Sequence, residues 1–302
     1  MQRRPRVLVV YKKDAYQLYV QEQRDPHLMR LLRRGDPDAI DIHRAHEVHV
    51  EALDDVTHAL RTLGAELEIA HRIGLKVTRS YDLVVSVGGD GTFLHAARSI
   101  KQTPILGVNS DPARSEAVFC AATRRTFPDL CRRALQGDLP ELRLSHLELA
   151  LNGRWLPLRA LNDVLLVHDH PATMSRYRLK VGSKEESQKS SGIWISTAAG
   201  SSSAVLAAGG TRLSWDAKRF QYRPRELYRG RLSHPGLRGG VLSPGRSLQV
   251  KWLMRRGSAF MDGPQIQIPL RFGDWVDVML SMKDPLRVLT APAGQKHQRP
   301  QA

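Results

Sequence analysis

Over roughly the first 140 residues, apolar positions switch between two periods. Val7–Tyr11 is a short, mostly β-branched run and reads as a first strand. Gln21 to Ala45 is polar and charged, with Asp-Pro at both 25–26 and 36–37, which predicts a loop with a broken helix. Leu53, Val56, Leu60 and Leu63 then recur at steps of three and four, an amphipathic helix stopped by Gly64. Leu67-Glu68-Ile69 reads as a short strand, and Asp82–Val87 and Pro104–Val108 as two more, the last ending at Asn109. Phe93–Arg98 between them is helix-friendly. Strands alternating with helices predict a doubly wound α/β domain over residues 1–140, with ligands at the carboxyl ends of its parallel strands.

The texture then changes. Short β-rich runs follow at Arg143–Leu151, Arg159–Val167, Tyr177–Val181, Gly192–Ser196, Leu248–Met254 and Trp275–Ser281. They predict a second, mostly antiparallel, β-sandwich-like domain over residues 141–290. Ala204–Ala208 reads as a helix ended by Gly209-Gly210. Residues 223–245 are rich in Arg, Gly and Pro and read as a loop that orders on a substrate or a partner subunit. Residues 291–302 read as a disordered tail.

Composition narrows the class. The chain has 302 residues, 41% of them hydrophobic, and no apolar run of membrane-spanning length. Val7–Val10 is too short for a signal-peptide core, and Cys120 and Cys131 form no metal-ligand spacing, so a cytoplasmic protein is expected. The formal net charge is +16, densest from Lys218 to Arg246. No recognition helix, aromatic RNA-binding motif or zinc spacing accompanies it. Attraction to anionic small molecules accounts for the charge as well as nucleic acid does, and no specific nucleic acid is expected. Neutralising Arg223, Arg225 and Arg229 is expected to raise KM and weaken its salt dependence.

Candidate chemistry centres on Gly88-Gly89-Asp90-Gly91-Thr92, where a strand ends in a glycine turn and a helix begins. Glycines let the backbone approach anionic oxygens, and free N–H groups at a helix start point at them. The turn has neither the Lys of a P-loop nor dinucleotide-fold spacing. It holds a carboxylate instead. An acid there repels a phosphate unless it takes a proton or holds a metal, which points to chemistry on a phosphate. Asp90 also suits a plain tight turn. A second turn, Ser196-Thr197-Ala198-Ala199-Gly200-Ser201-Ser202, follows a strand and offers hydroxyls suited to the edges of a sugar or base, or simply to a surface loop. His168 and His170 share a strand face but lack a third ligand, so no protein-built metal site is expected.

Taken together the two turns resemble the NAD kinase family. Gly88–Thr92 is similar to its GGDGT, Gly107-Val108-Asn109 to its GVN, Asn162-Asp163 to its Asn-Glu/Asp pair after an apolar strand, and 196–201 to its STPTGS. The first motif alone is shared with lipid kinases. The resemblance implies transfer of the ATP γ-phosphoryl group to the adenosine-ribose 2′-hydroxyl of NADH or NAD⁺, with Mg²⁺ accompanying ATP. It implies Asp90 as the base, and Gly88, Gly89, Gly91 and Thr92 as the phosphate cradle. It further implies that Asn109, Asn162, Asp163, Ser191, Thr197, Ser202 and Gln265 contact the dinucleotide, although Gln265 also reads as an ordinary hairpin residue. A homodimer or higher homo-oligomer is expected.

Three departures stand out. Ser191 replaces a usual Asp, Ala204 a usual Tyr, and Ser110-Asp111-Pro112 the usual glycine and apolar turn. Ser110-Asp111-Pro112, together with Ser190-Ser191-Gly192 and the 196–201 turn, looks like the plant NADH kinase branch. A neutral hydroxyl at 191 removes a carboxylate that favours the cationic nicotinamide, so NADH is expected to serve at least as well as NAD⁺. A lipid kinase and a non-catalytic nucleotide-binding module remain as alternatives.

Overall fold

The computed structural model describes residues 3–231 and 234–292. The chain divides into two compact units, one of residues 1–142 with 287–302 and one of Arg143–Leu286. Most of the expected tail, residues 293–302, lies outside the described residues.

The first unit holds β1 (Arg6–Tyr11), α1 (Pro26–Arg33), α2 (Pro37–Thr62), β2 (Glu66–His71), β3 (Leu83–Gly88), α3 (Asp90–Ser99), β4 (Ile105–Asn109), β5 (Ala122–Thr123) and α4 (Phe127–Gln136). The strands run parallel in the order β4-β3-β1-β2, with β5 pairing parallel to β4. Val7, Val9, Leu83, Val85 and Val87 pack with Val56 and Leu60 of α2 and with Phe127 and Leu130 of α4. The alternate residues Leu8, Val10 and Val84 are buried too, as strands covered on both faces require.

The segment expected as a loop with a broken helix is mostly helical, formed by α1 and the start of α2. Each Asp-Pro is a helix start. Asp25 accepts the N–H of Leu28 at 2.8 Å, and Asp36 accepts those of Asp38 and Ala39 at 3.1 Å. Pro26 and Pro37 then occupy the first helical position, where a missing N–H costs nothing. The polar composition of this stretch reflects half-exposed helices. α2 continues through the expected amphipathic run and ends before Gly64, whose φ is +74°.

The second unit holds most of β6 (Glu141–Leu151), then β7 (Arg154–Ala160), β8 (Asp163–Val167), β9 (Ser175–Val181), β10 (Lys184–Ser190), β11 (Ile193–Thr197), α5 (Ala204–Ala207), β12 (Phe220–Pro224), β13 (Gly240–Leu242), β14 (Ser247–Trp252), β15 (Gly257–Met261) and β16 (Ile266–Leu270), and most of β17 (Trp275–Leu289). One antiparallel sheet runs β10-β9-β14-β17, with β6 beside β17 and β7 beside β6. The other runs β13-β12-β11-β8-β15-β16, antiparallel throughout. Tyr177, Leu179, Leu248 and Val250 of the first sheet share a core with Val164, Leu166, Ile193, Ile195 and Phe220 of the second. The unit is a β-sandwich. Residues 223–245 are less loop-like than their composition implies, since they include the end of β12 and all of β13.

Candidate active site

In the first unit, β3 delivers its carboxyl end into the glycine turn. Gly88 has φ +153°, and a Cβ there would lie 2.4 Å from Thr92 Oγ1. Its requirement for glycine is thus steric, because the first turn of α3 folds back over it. Gly88 is buried, Gly89 half-buried and Gly91 exposed. Gly89 caps α3, and its carbonyl accepts the N–H groups of Thr92 (2.9 Å) and Phe93 (3.2 Å). Thr92 Oγ1 is buried and has no hydrogen-bond partner among the described residues.

Asp90 is the first residue of α3 and is half-buried. Its Oδ1 accepts the N–H of Phe119 at 2.8 Å and its Oδ2 that of Val118 at 3.0 Å. The segment donating those bonds lies against β4 at Gly107, where a Cβ would come within 2.8 Å of the Phe119 carbonyl oxygen. Burial raises the proton affinity of Asp90 above the ordinary aspartate range. The Phe119 and Val118 bonds oppose that rise, and Glu116 adds to it. Each carboxylate oxygen keeps a lone pair for a second donor. A fixed carboxylate of raised basicity beside a helix N-terminus can orient an alcohol and take its proton.

Asn109 ends β4. Its Nδ2 donates to the Ser115 carbonyl at 2.7 Å and its Oδ1 accepts the Asp111 N–H at 3.0 Å. The side chain therefore shapes the loop after β4. Ser110, the first departure after that motif, is buried against His49, with Oγ 3.0 Å from Nδ1, while His49 Nε2 lies 3.0 Å from the Lys12 carbonyl.

In the second unit, Asp163 opens β8 and Asn162 immediately precedes it. Asn162 Nδ2 donates to Asp163 Oδ2 at 2.9 Å, and Ser203 Oγ donates to the same oxygen at 3.0 Å. Burial, with Asp262 nearby, pushes Asp163 up to about 7, and the Ser203 bond resists this. Asp262 organises the spot. Its carboxylate accepts the backbone N–H groups of Leu161 (3.0 Å), Asn162 (2.7 Å) and Asp163 (3.2 Å). Thr197 Oγ1 donates to the Leu161 carbonyl at 2.6 Å and accepts the Gly200 N–H at 3.1 Å, so it holds the turn together. A Cβ on Gly200 would lie 2.1 Å from the Asn162 carbonyl oxygen.

Other expected contacts fall less directly. Ser202 is half-buried and makes none of these bonds; its neighbour Ser203 does. Gln265 is exposed on the β15–β16 hairpin that also carries Asp262. Sequence reasoning missed Asp262 and Ser203. The Asp-Gly of 262–263 signals a hairpin, and nothing local reveals that its carboxylate reaches residues a hundred positions away. His168 Nδ1 accepts the His170 N–H at 3.0 Å, which makes that pair a turn.

Ser191 corrects a sequence expectation. Its N–H donates to the Arg225 carbonyl at 2.9 Å and its Oγ to the Glu226 carboxylate. The hydroxyl therefore has an acid for a neighbour, and the position is not the neutral one that residue 191 alone implies. Arg223 is not a freely exposed cation either. Its Nε donates to the Ala208 carbonyl at 3.2 Å, and its guanidinium fills space left by Gly209 and Gly239.

This arrangement has known counterparts. Residues 3–125 match the ATP-NAD kinase N-terminal domain. A probable NADH kinase of Oryza sativa subsp. japonica is 35% identical over 219 residues, 65% of this chain and 67% of that one. The NADH kinase of Arabidopsis thaliana is 33% identical over 66% of this chain and 70% of its own. The chain belongs to the NAD kinase family. The fold agrees: an NAD kinase from Archaeoglobus fulgidus, solved in complex with ATP, superposes with a TM-score of 0.67 at 21% identity, covering 94% of this chain and 93% of that one. In this chain the ordered motifs lie at the carboxyl ends of β3, β4 and β11 and the amino end of β8.

Proposed function

We propose that this protein transfers the γ-phosphoryl group of ATP to the 2′-hydroxyl of the adenosine ribose of NADH and NAD⁺. The 2′-oxygen forms a bond to the γ-phosphorus while the bridging oxygen to the β-phosphate leaves with ADP. The hydroxyl proton passes to Asp90. Phosphoryl transfer needs positioning and charge neutralisation more than covalent assistance, and it develops little negative charge on the attacking oxygen early. A carboxylate base of raised proton affinity suits a late proton transfer.

The observation that carries this reading is the pair of amide bonds that hold the Asp90 carboxylate at the start of α3. Gly89, Gly91 and Thr92 offer backbone and hydroxyl donors to phosphate, with Gly88 making the turn sterically possible. Mg²⁺ enters with ATP and offsets the charge of the phosphates. In the second unit, Asn162 and Asp163 recognise base and ribose edges of the dinucleotide. Asn109, Ser191, Thr197, Ser202 and Gln265 support its binding, Asn109 and Thr197 chiefly by shaping the backbone. Names of the plant relatives favour NADH as a substrate.

We also propose a cytoplasmic homo-oligomer. Both cysteines are free and buried, as a reducing compartment allows. No helix among the described residues is long and apolar enough to cross a membrane. Incubation with Mg-ATP and NADH, NAD⁺ or diacylglycerol, followed by product analysis, tests the function. NADPH and NADP⁺ are the expected products. Phosphatidic acid, or no product, would reject the reading.

A further inference from the structure

Arg72 follows the last residue of β2. Its backbone N–H donates to the Tyr11 carbonyl at 2.9 Å, which ties it to the carboxyl end of β1. Tyr11 also pairs with Val87, so Arg72 stands at the sheet end where β3 delivers the glycine turn. One terminal guanidinium nitrogen lies 3.5 Å from where a Cβ on the exposed Gly91 would sit.

We propose that Arg72 is a phosphate-binding residue of this enzyme, engaging the phosphate chain of the nucleoside triphosphate beside Gly91. The inference rests on the kinase reading above and adds a residue that neither glycine turn contains. Its Nε is shut off from solvent and has no hydrogen-bond partner among the described residues. Arg72 also makes no ion pair with any described residue. A buried donor without an acceptor is costly, and here the protein supplies none.

The surroundings are cationic. Burial first, and then the charge of Arg98, lower the proton affinity of Arg72. His95 is lowered by burial, then by Arg98, Arg72 and His71. Glu22, the acid that acts on His71, already pairs with Lys13 at 2.7 Å. Like charges held together in a half-buried place repel, and an arriving anion removes that repulsion. The amino end of α3 adds its own positive potential at Gly91. Thr92 Oγ1, the second buried and unpartnered polar atom at this turn, completes a set of donors without acceptors. A planar fork of N–H groups matches two phosphate oxygens at once, which identifies the ligand class as a phosphate chain.

Calorimetric titration with Mg-ATP and with inorganic triphosphate, together with steady-state kinetics, tests this on the parent, Arg72→Gln, Arg72→Lys and a charge control, Arg33→Gln on exposed α1. Arg72→Gln should weaken both ligands by about tenfold or more and raise KM for ATP equally, while KM for NADH stays within about twofold. Arg72→Lys should fall between, because it keeps charge and loses the fork. Arg33→Gln should match the parent. Parent-like binding by Arg72→Gln overturns the proposal, as does an equal loss in Arg33→Gln, which would mean bulk charge. If Arg72→Gln does not fold, Arg72→Lys decides, and parent-like triphosphate binding by that variant overturns the proposal. A parent that binds triphosphate but phosphorylates neither dinucleotide rejects the kinase reading and leaves Arg72 to be judged by the titration.

Discussion

Burial raises the proton affinity of both Asp90 and Asp163, to different ends. Asp90 keeps an accessible lone pair on each oxygen, so its raised affinity serves proton acceptance. Asp90→Asn keeps the shape and removes the acceptor. Turnover should fall by about 10²–10⁴, with dinucleotide affinity within about tenfold. A variant that retains more than about a tenth of parental turnover would reduce Asp90 to a turn former. In the parent, the acid limb of the kcat/KM profile should lie above the ordinary aspartate range. Asp163 is different, because its partners are internal. Its folded-state value of about 7 exceeds the unfolded value of about 3.9. Between those values the folded state binds the extra proton, so this group's contribution to stability is full below about pH 3.9 and is lost as pH rises through 7. Asp163→Asn removes the titration. Its unfolding free energy, compared with the parent at pH 5 and pH 8.5, should gain ground at the higher pH, by on the order of a few kcal/mol at most. Equal pH dependence in both proteins would place the shift elsewhere.

At the scale of elements, the two helices that start at Asp-Pro set the reach of the first unit. Asp36 supplies two capping bonds at the start of the 26-residue α2, whose Val56 and Leu60 cover the sheet. Asp36→Ala should cost about 1 kcal/mol, a fall in melting temperature of several degrees or less, with unchanged KM. The two signature turns depend on glycine through contacts made at short and long range. At Gly88 the clash is with Thr92, four residues on, and the motif itself contains both partners. At Gly200 the clash is with the carbonyl of Asn162, the residue before β8. Gly200→Ala should therefore disturb Asn162 and Asp163 together. Dinucleotide KM should rise at least about tenfold while triphosphate binding is retained, the reverse of the Arg72 pattern.

For the whole molecule, the charge of +16 is distributed unevenly in its uses. Arg223 is a packing residue, and Arg225 lies over the Trp194 ring at 5.8 Å. Lys218, Arg219 and Arg229 are among the exposed cations of that region. Neutralising those three should raise KM and flatten its dependence on salt without loss of stability, as steering of anions predicts. Salt curves that superpose for parent and variant would assign the charge another purpose. Nicotinamide preference also needs more than one residue. With Glu226 bonded to Ser191, a carboxylate stays near a position where the sequence has none. Glu226→Gln should shift the ratio of kcat/KM for NADH over NAD⁺ upward by up to about tenfold, the effect of losing one partly screened charge. An unchanged ratio would put specificity elsewhere.

Local signals carried much of this. Short apolar runs were enough for β1, β3 and β4, which are buried on both faces, and steps of three and four for the amphipathic half of α2, which buries one stripe. The strand-glycine-helix grammar marked Gly88–Thr92 and Ser196–Gly200, because those turns are made by residues next to one another. Non-local facts were illegible. Which hydroxyl meets Asp163, which carboxylate gathers the amides of Leu161, Asn162 and Asp163, which amides hold Asp90, and which acid sits on Ser191 all depend on strands brought together by β-pairing. The same holds for β10, β12, β15 and β16, whose polar or short runs become strands through neighbours that share their hydrogen bonds. Backbone preference and burial pattern are written along the chain, whereas a side chain's partner is set by topology, and the chemistry of Asp90, Asp163 and Arg72 follows from partners.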